Sequence, residues 1–185
     1  MDNIYISRDA LNHLAPLIEQ QCKPATKIVI VTDNTVKPLY LQTVLNAINH
    51  PCHTISIKPG EKHKTRKVKA MIEDNMIKQR CDRNTLMIAF GGGVVGDIAG
   101  YVAATYMRGI PYINIPTTLL SMVDSCIGGK VAINTQAGKN LIGAFWQPQA
   151  IIINPSFLQS LPQRQLINGA VEALKMFLTF DAYAV

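Results

Sequence analysis

One segment constrains this chain more than any other: Gly91-Gly92-Gly93-Val94-Val95-Gly96-Asp97. The apolar run before it, Thr85-Leu86-Met87-Ile88-Ala89-Phe90, reads as a buried strand, and Ile98-Ala99-Gly100-Tyr101-Val102-Ala103-Ala104 after it reads as a helix packed on all sides. A strand that turns through glycines into a helix leaves bare backbone N–H groups at the helix N-terminus, where a diphosphate can approach. A Cβ there would hold the phosphate away. The Asp97 carboxylate sits near the positive end of the helix dipole, which stabilises an anion. Gly91, Gly93 and Gly96 satisfy G-x-G-x-x-G, but the motif follows earlier strands, and Pro116 stands where the usual dinucleotide fold has an acidic residue about 20 positions on. This is not the ordinary arrangement, and a tight strand-to-helix turn without a ligand is the plain alternative.

The segments on either side alternate. Lys27-Ile28-Val29-Ile30-Val31-Thr32-Asp33 is a β-rich run ending in a polar turn. A helix from Val36 to Ile48 follows, with Leu39, Tyr40, Val44, Leu45 and Ile48 on one face. A short strand around His53-Thr54-Ile55-Ser56-Ile57 leads through the turn Lys58-Pro59-Gly60-Glu61 to an amphipathic helix from Thr65 to Lys78, with Val68, Met71, Ile72 and Met76 inward. Pro111-Tyr112-Ile113-Asn114-Ile115 is a strand that ends at Pro116-Thr117-Thr118, and Ala150-Ile151-Ile152-Ile153-Asn154 is the last strand. Between them, Asp124 to Lys130 and Gly138 to Gly143 read as polar, glycine-rich loops, and Leu161-Pro162 opens a helical region that runs to the end. Strands alternating with helices of this length predict an α/β fold: a Rossmann-like parallel sheet with helices on both faces. Ligands bind beyond the carboxyl ends of such strands. Asp33, Gly60-Glu61, Gly91 to Asp97 and Thr117-Thr118 all fall at such ends.

The composition narrows the class. With 185 residues, 48% hydrophobic and 16% charged, the chain is an ordinary globular sequence able to bury one core. It has no apolar run of membrane-spanning length, and Met1-Asp2-Asn3-Ile4-Tyr5-Ile6 does not read as a secretory signal. Cys22, Cys52, Cys81 and Cys126 form no C-x-x-C pair; they read as core fillers in a reducing cytoplasm, not as a structural zinc site. Much of the net charge of +6 lies in Lys62, Lys64, Arg66, Lys67 and Lys69. No aromatic residue interleaves with them, so a solvated helix face with one or two cations turned to a small anionic ligand is favoured over a nucleic-acid patch.

The motifs resemble the 3-dehydroquinate synthase family. The resemblance is carried by Pro59-Gly60-Glu61-x-x-Lys64, Gly91 to Asp97, Arg108-Gly109-Ile110-Pro111, Ile115-Pro116-Thr117-Thr118-Leu119-Leu120, Val123-Asp124-Ser125, Gly128-Gly129-Lys130, Gly138-Lys139-Asn140-Leu141-Ile142-Gly143-Ala144-Phe145, Leu161-Pro162 and Gly169 to Lys175. It implies a carbon–oxygen lyase of the shikimate route to chorismate and the aromatic amino acids. That enzyme converts 3-deoxy-D-arabino-heptulosonate 7-phosphate to 3-dehydroquinate and phosphate. The route is transient NAD-dependent oxidation, phosphate elimination, re-reduction and intramolecular aldol closure, with one divalent metal, zinc or cobalt. The coenzyme is regenerated within the cycle.

The resemblance also implies roles. Asp33 holds the adenosine ribose; Gly60, Glu61 and Lys64 line the same channel; Gly92, Gly93, Val94, Val95 and Gly96 cradle the diphosphate, with Asp97 near the nicotinamide. Thr117 and Thr118 donate hydroxyls to the coenzyme, although a helix N-cap explains them equally. Phe157, Leu158, Gln159 and Ser160 complete the coenzyme set. Asp124, Lys130, Lys139 and Asn140 face substrate and nicotinamide, with surface lysines on glycine loops as the alternative. Arg108 binds phosphate, reaching across a homodimer, against the alternative of a helix C-terminal cap. Glu172 ligates the metal and Lys175 binds substrate; without the family they are a surface i,i+3 pair.

Residues 1–160 are thus expected to form an NAD-binding domain and 161–185 the beginning of a helical metal and substrate domain. The family's two metal-binding histidines have no counterpart, since His13, His50, His53 and His63 read as surface or packing residues. The expectation is a fragment that binds NAD at most. Val171 stands where the family often has Ala, and Met176-Phe177 where it commonly has Tyr-Gly. A metal-dependent alcohol or polyol dehydrogenase and a non-catalytic nucleotide-binding module are the rival functions. No membrane or nucleic-acid partner is expected.

Overall fold

The computed structural model describes residues 3–21 and 25–180. The strands are β1 (Ile4–Ile6), β2 (Ile28–Asp33), β3 (Cys52–Ile57), β4 (Leu86–Gly91), β5 (Tyr112–Pro116), β6 (Lys130–Thr135), β7 (Gly138–Phe145) and β8 (Ala150–Ile153). The helices are α1 (Leu14–Gln21), α2 (Val36–Ile48), α3 (Arg66–Lys78), α4 (Gly93–Thr105) and α5 (Gln163–Phe180). Six strands form one parallel sheet in the order β1-β8-β5-β4-β2-β3, and β6 pairs with β7 as a separate antiparallel hairpin.

Period-two patterning divides the core between the two faces of the sheet. Ile28 and Ile30 of β2, Leu86, Ile88 and Phe90 of β4, and Ile113 and Ile115 of β5 pack with Leu14, Leu17 and Ile18 of α1 and Val44 and Ile48 of α2. The intervening residues, Val29 and Val31, Met87 and Ala89, and Tyr112, pack with Ile72 and Met76 of α3 and Val95, Ile98, Ala99, Val102 and Ala103 of α4. Because both faces are covered, β2, β4 and β5 are buried along their whole length, as near-continuous apolar runs require.

The chain turns from β2 to β3 on one side of the sheet, then crosses so that β4 lies on the other side of β2. That reversal opens a crevice beyond the carboxyl ends of β2 and β4. Asp33 and the glycine turn therefore meet at one place.

Several expectations are corrected. The stretches read as glycine-rich loops are largely β6 and β7, which pack against α4 away from the main sheet. Ser121–Ser125, before them, forms one π-helical turn. Leu39 and Met71, read as inward, are 53% and 36% exposed, because α2 and α3 each bury only a narrow stripe. Thr65, read as the first residue of a helix, is the N-cap of α3, its hydroxyl accepting from Val68 N–H at 3.3 Å. Cys81 and Cys126 are buried and Cys52 half-buried; Cys22 lies outside the described residues. His13 is an exposed residue stacked on Tyr5, while His53 is half-buried and its Nε2 has no partner among the described residues.

Candidate functional site

The turn from β4 into α4 is open. Gly92 is the N-cap in extended conformation, with no side-chain cap, and the first intrahelical bond at this end runs from Gly96 N–H to Gly92 O at 3.0 Å. The N–H groups of Gly93, Val94 and Val95 thus have no acceptor within the helix. Packing keeps the turn bare. A Cβ on Gly92 would lie 3.0 Å from Thr118 Cγ2, and one on Gly93 would lie 2.9 Å from Ser125 Oγ. The two glycines are walled by protein on the side a Cβ would occupy, and both are half-buried.

Asp33 closes the adjoining end of β2. Its Oδ1 accepts from Thr35 N–H at 2.7 Å and Val36 N–H at 3.0 Å, which caps α2, and Oδ2 is bonded to none of the described residues. Thr117 is 3% exposed, its N–H donates to Gly91 O at 3.0 Å, and its buried Oγ1 has no partner among the described residues. A buried hydroxyl without a partner is costly, and Thr32 Oγ1 on β2 shares that condition among the described residues. Thr118 does serve as a cap: its Oγ1 accepts from Ser121 N–H at 3.2 Å and pairs with Ser121 Oγ at 2.8 Å.

Of the basic run 62–69, one member turns inward. Lys64 is 3% exposed; its ammonium donates to Asp97 Oδ2 and, at 2.6 Å, to Asn140 Oδ1. Lys62, Arg66 and Lys67 stay exposed beside Glu61, Asn134 and Gln136 around a cavity of about 730 Å³, and Lys69 pairs with Glu73. Burial raises the Asp97 pKa above the usual carboxylate range; the Lys64 ammonium opposes the rise, and the charges of Glu61 and Asp124 add to it. Lys64 is thus the group that favours the ionised form of Asp97.

Asp124 lies within electrostatic reach of both Asp97 and Lys175 of α5, and α5 packs on the 121–125 turn. There Lys175 pairs with Glu172, and that hydrogen bond raises the lysine pKa. The pair forms the i,i+3 contact expected of residues one turn apart. Among the described residues, no three His, Cys, Asp or Glu side chains come together as a metal cage. Glu172 alone does not make the three-ligand set of a catalytic zinc.

Other predicted residues stand apart. Lys130 and Lys139, read as buried against an anion, are exposed on β6 and β7 without an ion pair among the described residues. Phe157 is core, its ring packed on Tyr40 and Phe90 at centroid distances of 4.9 and 5.6 Å. Ser160 Oγ accepts from Tyr40 OH, while Leu158 is half-buried and Gln159 exposed in the same turn. Arg108 is exposed beyond the far end of α4, and a 13-residue helix separates that end from the glycine turn by about 20 Å. Within one chain, the structure does not bring Arg108 to the glycine turn.

Three residues of this region were not visible in the sequence. Asn34 follows Asp33 and accepts from Ser56 Oγ at 2.5 Å. Ser125 faces Gly93. Asn134 bonds Glu61 across 73 positions; only its polar character at the end of the Val131/Ile133 alternation hinted at it.

With this geometry in place, the comparisons are specific. The family model described as 3-dehydroquinate synthase N-terminal matches residues 54–168, more than half of the chain. This chain belongs to the 3-dehydroquinate synthase family. The pentafunctional AROM polypeptide of Lachancea thermotolerans is 45% identical over 188 residues, covering 98% of this chain and 12% of that polypeptide. This chain therefore spans about an eighth of the curated relatives it matches. A 2-deoxy-scyllo-inosose synthase, solved with carbaglucose-6-phosphate, NAD⁺ and Co²⁺, superposes with a TM-score of 0.87 at 26% identity, over 95% of this chain and 48% of that one. The 2-epi-5-epi-valiolone synthase of Streptomyces hygroscopicus, solved with NAD⁺ and Zn²⁺, gives a TM-score of 0.77 at 32% identity, over 85% of this chain and 47% of that one. The membership accords with the motif set at Gly60 to Lys64, Gly91 to Asp97 and Gly138 to Phe145.

Proposed function

We propose that this chain is the coenzyme-binding part of a 3-dehydroquinate synthase, a carbon–oxygen lyase of the shikimate route that takes 3-deoxy-D-arabino-heptulosonate 7-phosphate to 3-dehydroquinate and phosphate. The observation that carries it is the uncapped glycine terminus of α4 beside the orphaned Thr117 hydroxyl and the cluster in which buried Lys64 holds half-buried Asp97 and exposed Asn140. Donor type and placement fit NAD. The N–H groups of Gly93, Val94 and Val95 would hold the diphosphate at the positive end of α4. Asp33 Oδ2 would accept from a ribose hydroxyl, and Thr117 Oγ1 would donate to the coenzyme. Glu61 and Lys64 would border the same channel. When bound, the coenzyme supplies a reversible hydride acceptor.

The remaining residues act on the sugar phosphate in this reading. Asp124, Lys130, Lys139 and Asn140 face it from the rim, with Lys175 from α5. Arg108 binds its phosphate from the second subunit of a homodimer. Glu172 would offer one carboxylate to a zinc or cobalt ion, and the described residues alone do not complete a metal site. Residues 1–160 form the coenzyme domain and 161–185 begin a helical domain. The apolar stripe Ile167, Val171, Leu174 and Leu178, each at least half exposed on α5, supports that division.

Two measurements test the proposal. Calorimetry of this chain with NAD⁺ is expected to give a saturable heat. Turnover of the heptulosonate phosphate by the complete protein is expected without lasting NADH absorbance. Net NADH formation from a simple alcohol would replace the reading with a polyol dehydrogenase; coenzyme binding with no turnover in the complete protein would leave a non-catalytic nucleotide module.

A further inference from the structure

The β6–β7 hairpin is irregular at one point. Ile133 pairs with Ile142 but Thr135 pairs with Gly138, so Lys139, Asn140 and Leu141 stand against Asn134 alone. Such bulges re-aim side chains and recur beside active sites. Here the bulged strand puts Asn140 at φ +57°, a left-handed conformation that asparagine tolerates but does not prefer. Asn134 leaves the hairpin ladder and pairs in parallel with Thr65 instead, its N–H donating to Lys64 O at 2.8 Å.

Its side chain then joins three segments. Asn134 Oδ1 accepts from Asn140 N–H at 3.0 Å, and Asn134 Nδ2 donates to Glu61 Oε1 at 2.8 Å. The amide has one usable orientation, because a backbone N–H only donates and a carboxylate only accepts. Asn140, so held, offers its own Oδ1 to the Lys64 ammonium that holds Asp97. One amide thereby fixes the Glu61 turn and the Asn140 bulge relative to each other.

We propose that Asn134 is the positioning residue of this site: through its amide it sets Glu61 and Asn140, and through Asn140 the Lys64 ammonium. The proposal rests on the reading of Glu61 and Asn140 as ligand-facing residues. A residue that merely stabilised the hairpin would change the melting point of the chain and leave the site's affinity untouched.

The test compares the chain with Asn134→Ala, Asn134→Asp and Asn134→Asp combined with Glu61→Gln, by amide hydrogen exchange, urea unfolding and NAD⁺ calorimetry. Asn134→Ala is expected to speed exchange at Asn140 about tenfold, the factor set by one lost hydrogen bond, with Val131 in the same hairpin unchanged. Asn134→Asp keeps the acceptor for Asn140 N–H, so exchange there stays slow. It sets a second carboxylate against Glu61, so coenzyme affinity falls. Adding Glu61→Gln restores a hydrogen bond with donor and acceptor exchanged, and a folding constant about tenfold above additivity is expected. Unchanged Asn140 exchange in Asn134→Ala, or strict additivity in the double variant, overturns the proposal. The exchange and unfolding results do not involve the coenzyme. If the parent chain binds no NAD⁺, the proposed function fails while these two results still rule on Asn134; should Asn134→Ala not fold, the double variant decides.

Discussion

Replacing Lys64 by methionine isolates what its charge does. Lys64→Met retains an unbranched apolar stem in the same space and removes the ammonium that Asp97 and Asn140 share. Asp97 is then a carboxylate whose side chain is 15% exposed, near Glu61 and Asp124, with no cation on it. Breaking a buried pair from one side costs about 3–5 kcal/mol when the orphaned charge stays. Asp97 has an escape, which is to take up a proton. In the unfolded chain its pKa is about 3.9, so holding it neutral in the fold costs about 4 kcal/mol at pH 7 and about 1.5 kcal/mol at pH 5. The penalty of Lys64→Met is therefore capped, and the cap falls by about 1.4 kcal/mol for each unit the pH is lowered. The sign follows from linkage: with the folded pKa raised, the folded state holds the extra proton, so stability is lost as pH rises from about 4 through the elevated pKa. Urea unfolding at pH 5, 6 and 7 measures this. We expect a loss of about 3–4 kcal/mol at pH 7, or about 6–16 °C in Tm, shrinking to about 1.5 kcal/mol at pH 5. The added change Asp97→Asn should recover most of the loss at pH 7. A penalty under about 1 kcal/mol that does not vary with pH would refute the reasoning, since it would mean that Asp97 is well solvated in the fold.

Other outcomes follow from single contacts. Gly143→Ala would drive a Cβ into the carbonyl oxygen of Val131, with Ala132 Cα at 2.9 Å; the hairpin must separate, and calorimetry should show Tm falling by several degrees, in line with about 2 kcal/mol. Gly92→Ala has an allowed backbone at φ −74° but a Cβ 3.0 Å from Thr118 Cγ2 at the mouth of the cradle; NAD⁺ affinity should drop about tenfold or more with Tm within a few degrees of the parent. Burial pushes the Cys126 thiol up to about 12, so at pH 8 it should react with a disulfide reagent only as fast as the chain unfolds. Reaction of Cys126 at the rate of a free thiol would show that the 121–126 turn opens locally.

The sequence carried the sheet and the glycine turn because both are local. β2, β4 and β5 are continuous apolar runs closed by polar residues, and α2 begins and ends where its apolar spacing does. The hairpin was hidden for a physical reason. Its strands lie off the sheet, β7 leaves Leu141 and Phe145 62% and 79% exposed, and its glycines resemble loop residues although Gly143 is there to admit a backbone. β1, at the sheet edge, has only three residues and no buried alternation to signal it. At the site, Asp33 and the glycines were legible from their place at strand ends. The inward turn of Lys64 and the bridge from Asn134 to Glu61 depend on contacts between segments far apart in sequence, which no local period encodes.

The bracing of α4 has a consequence for how the molecule meets a ligand. Gly100 lets Val131 of the hairpin press onto the helix so closely that a Cβ there would overlap it, while Thr118 and Ser125 stand against the glycine end and the sheet lies beneath. Gripped along its length, the helix is held against tilting, and its three N–H groups without an acceptor in the helix hold their directions in advance. An arriving anion then forfeits little conformational freedom of the protein, since that ordering was completed during folding. Affinity at the glycine end should thus respond more to the rigidity of the hairpin behind α4 than to the count of donors facing the ligand.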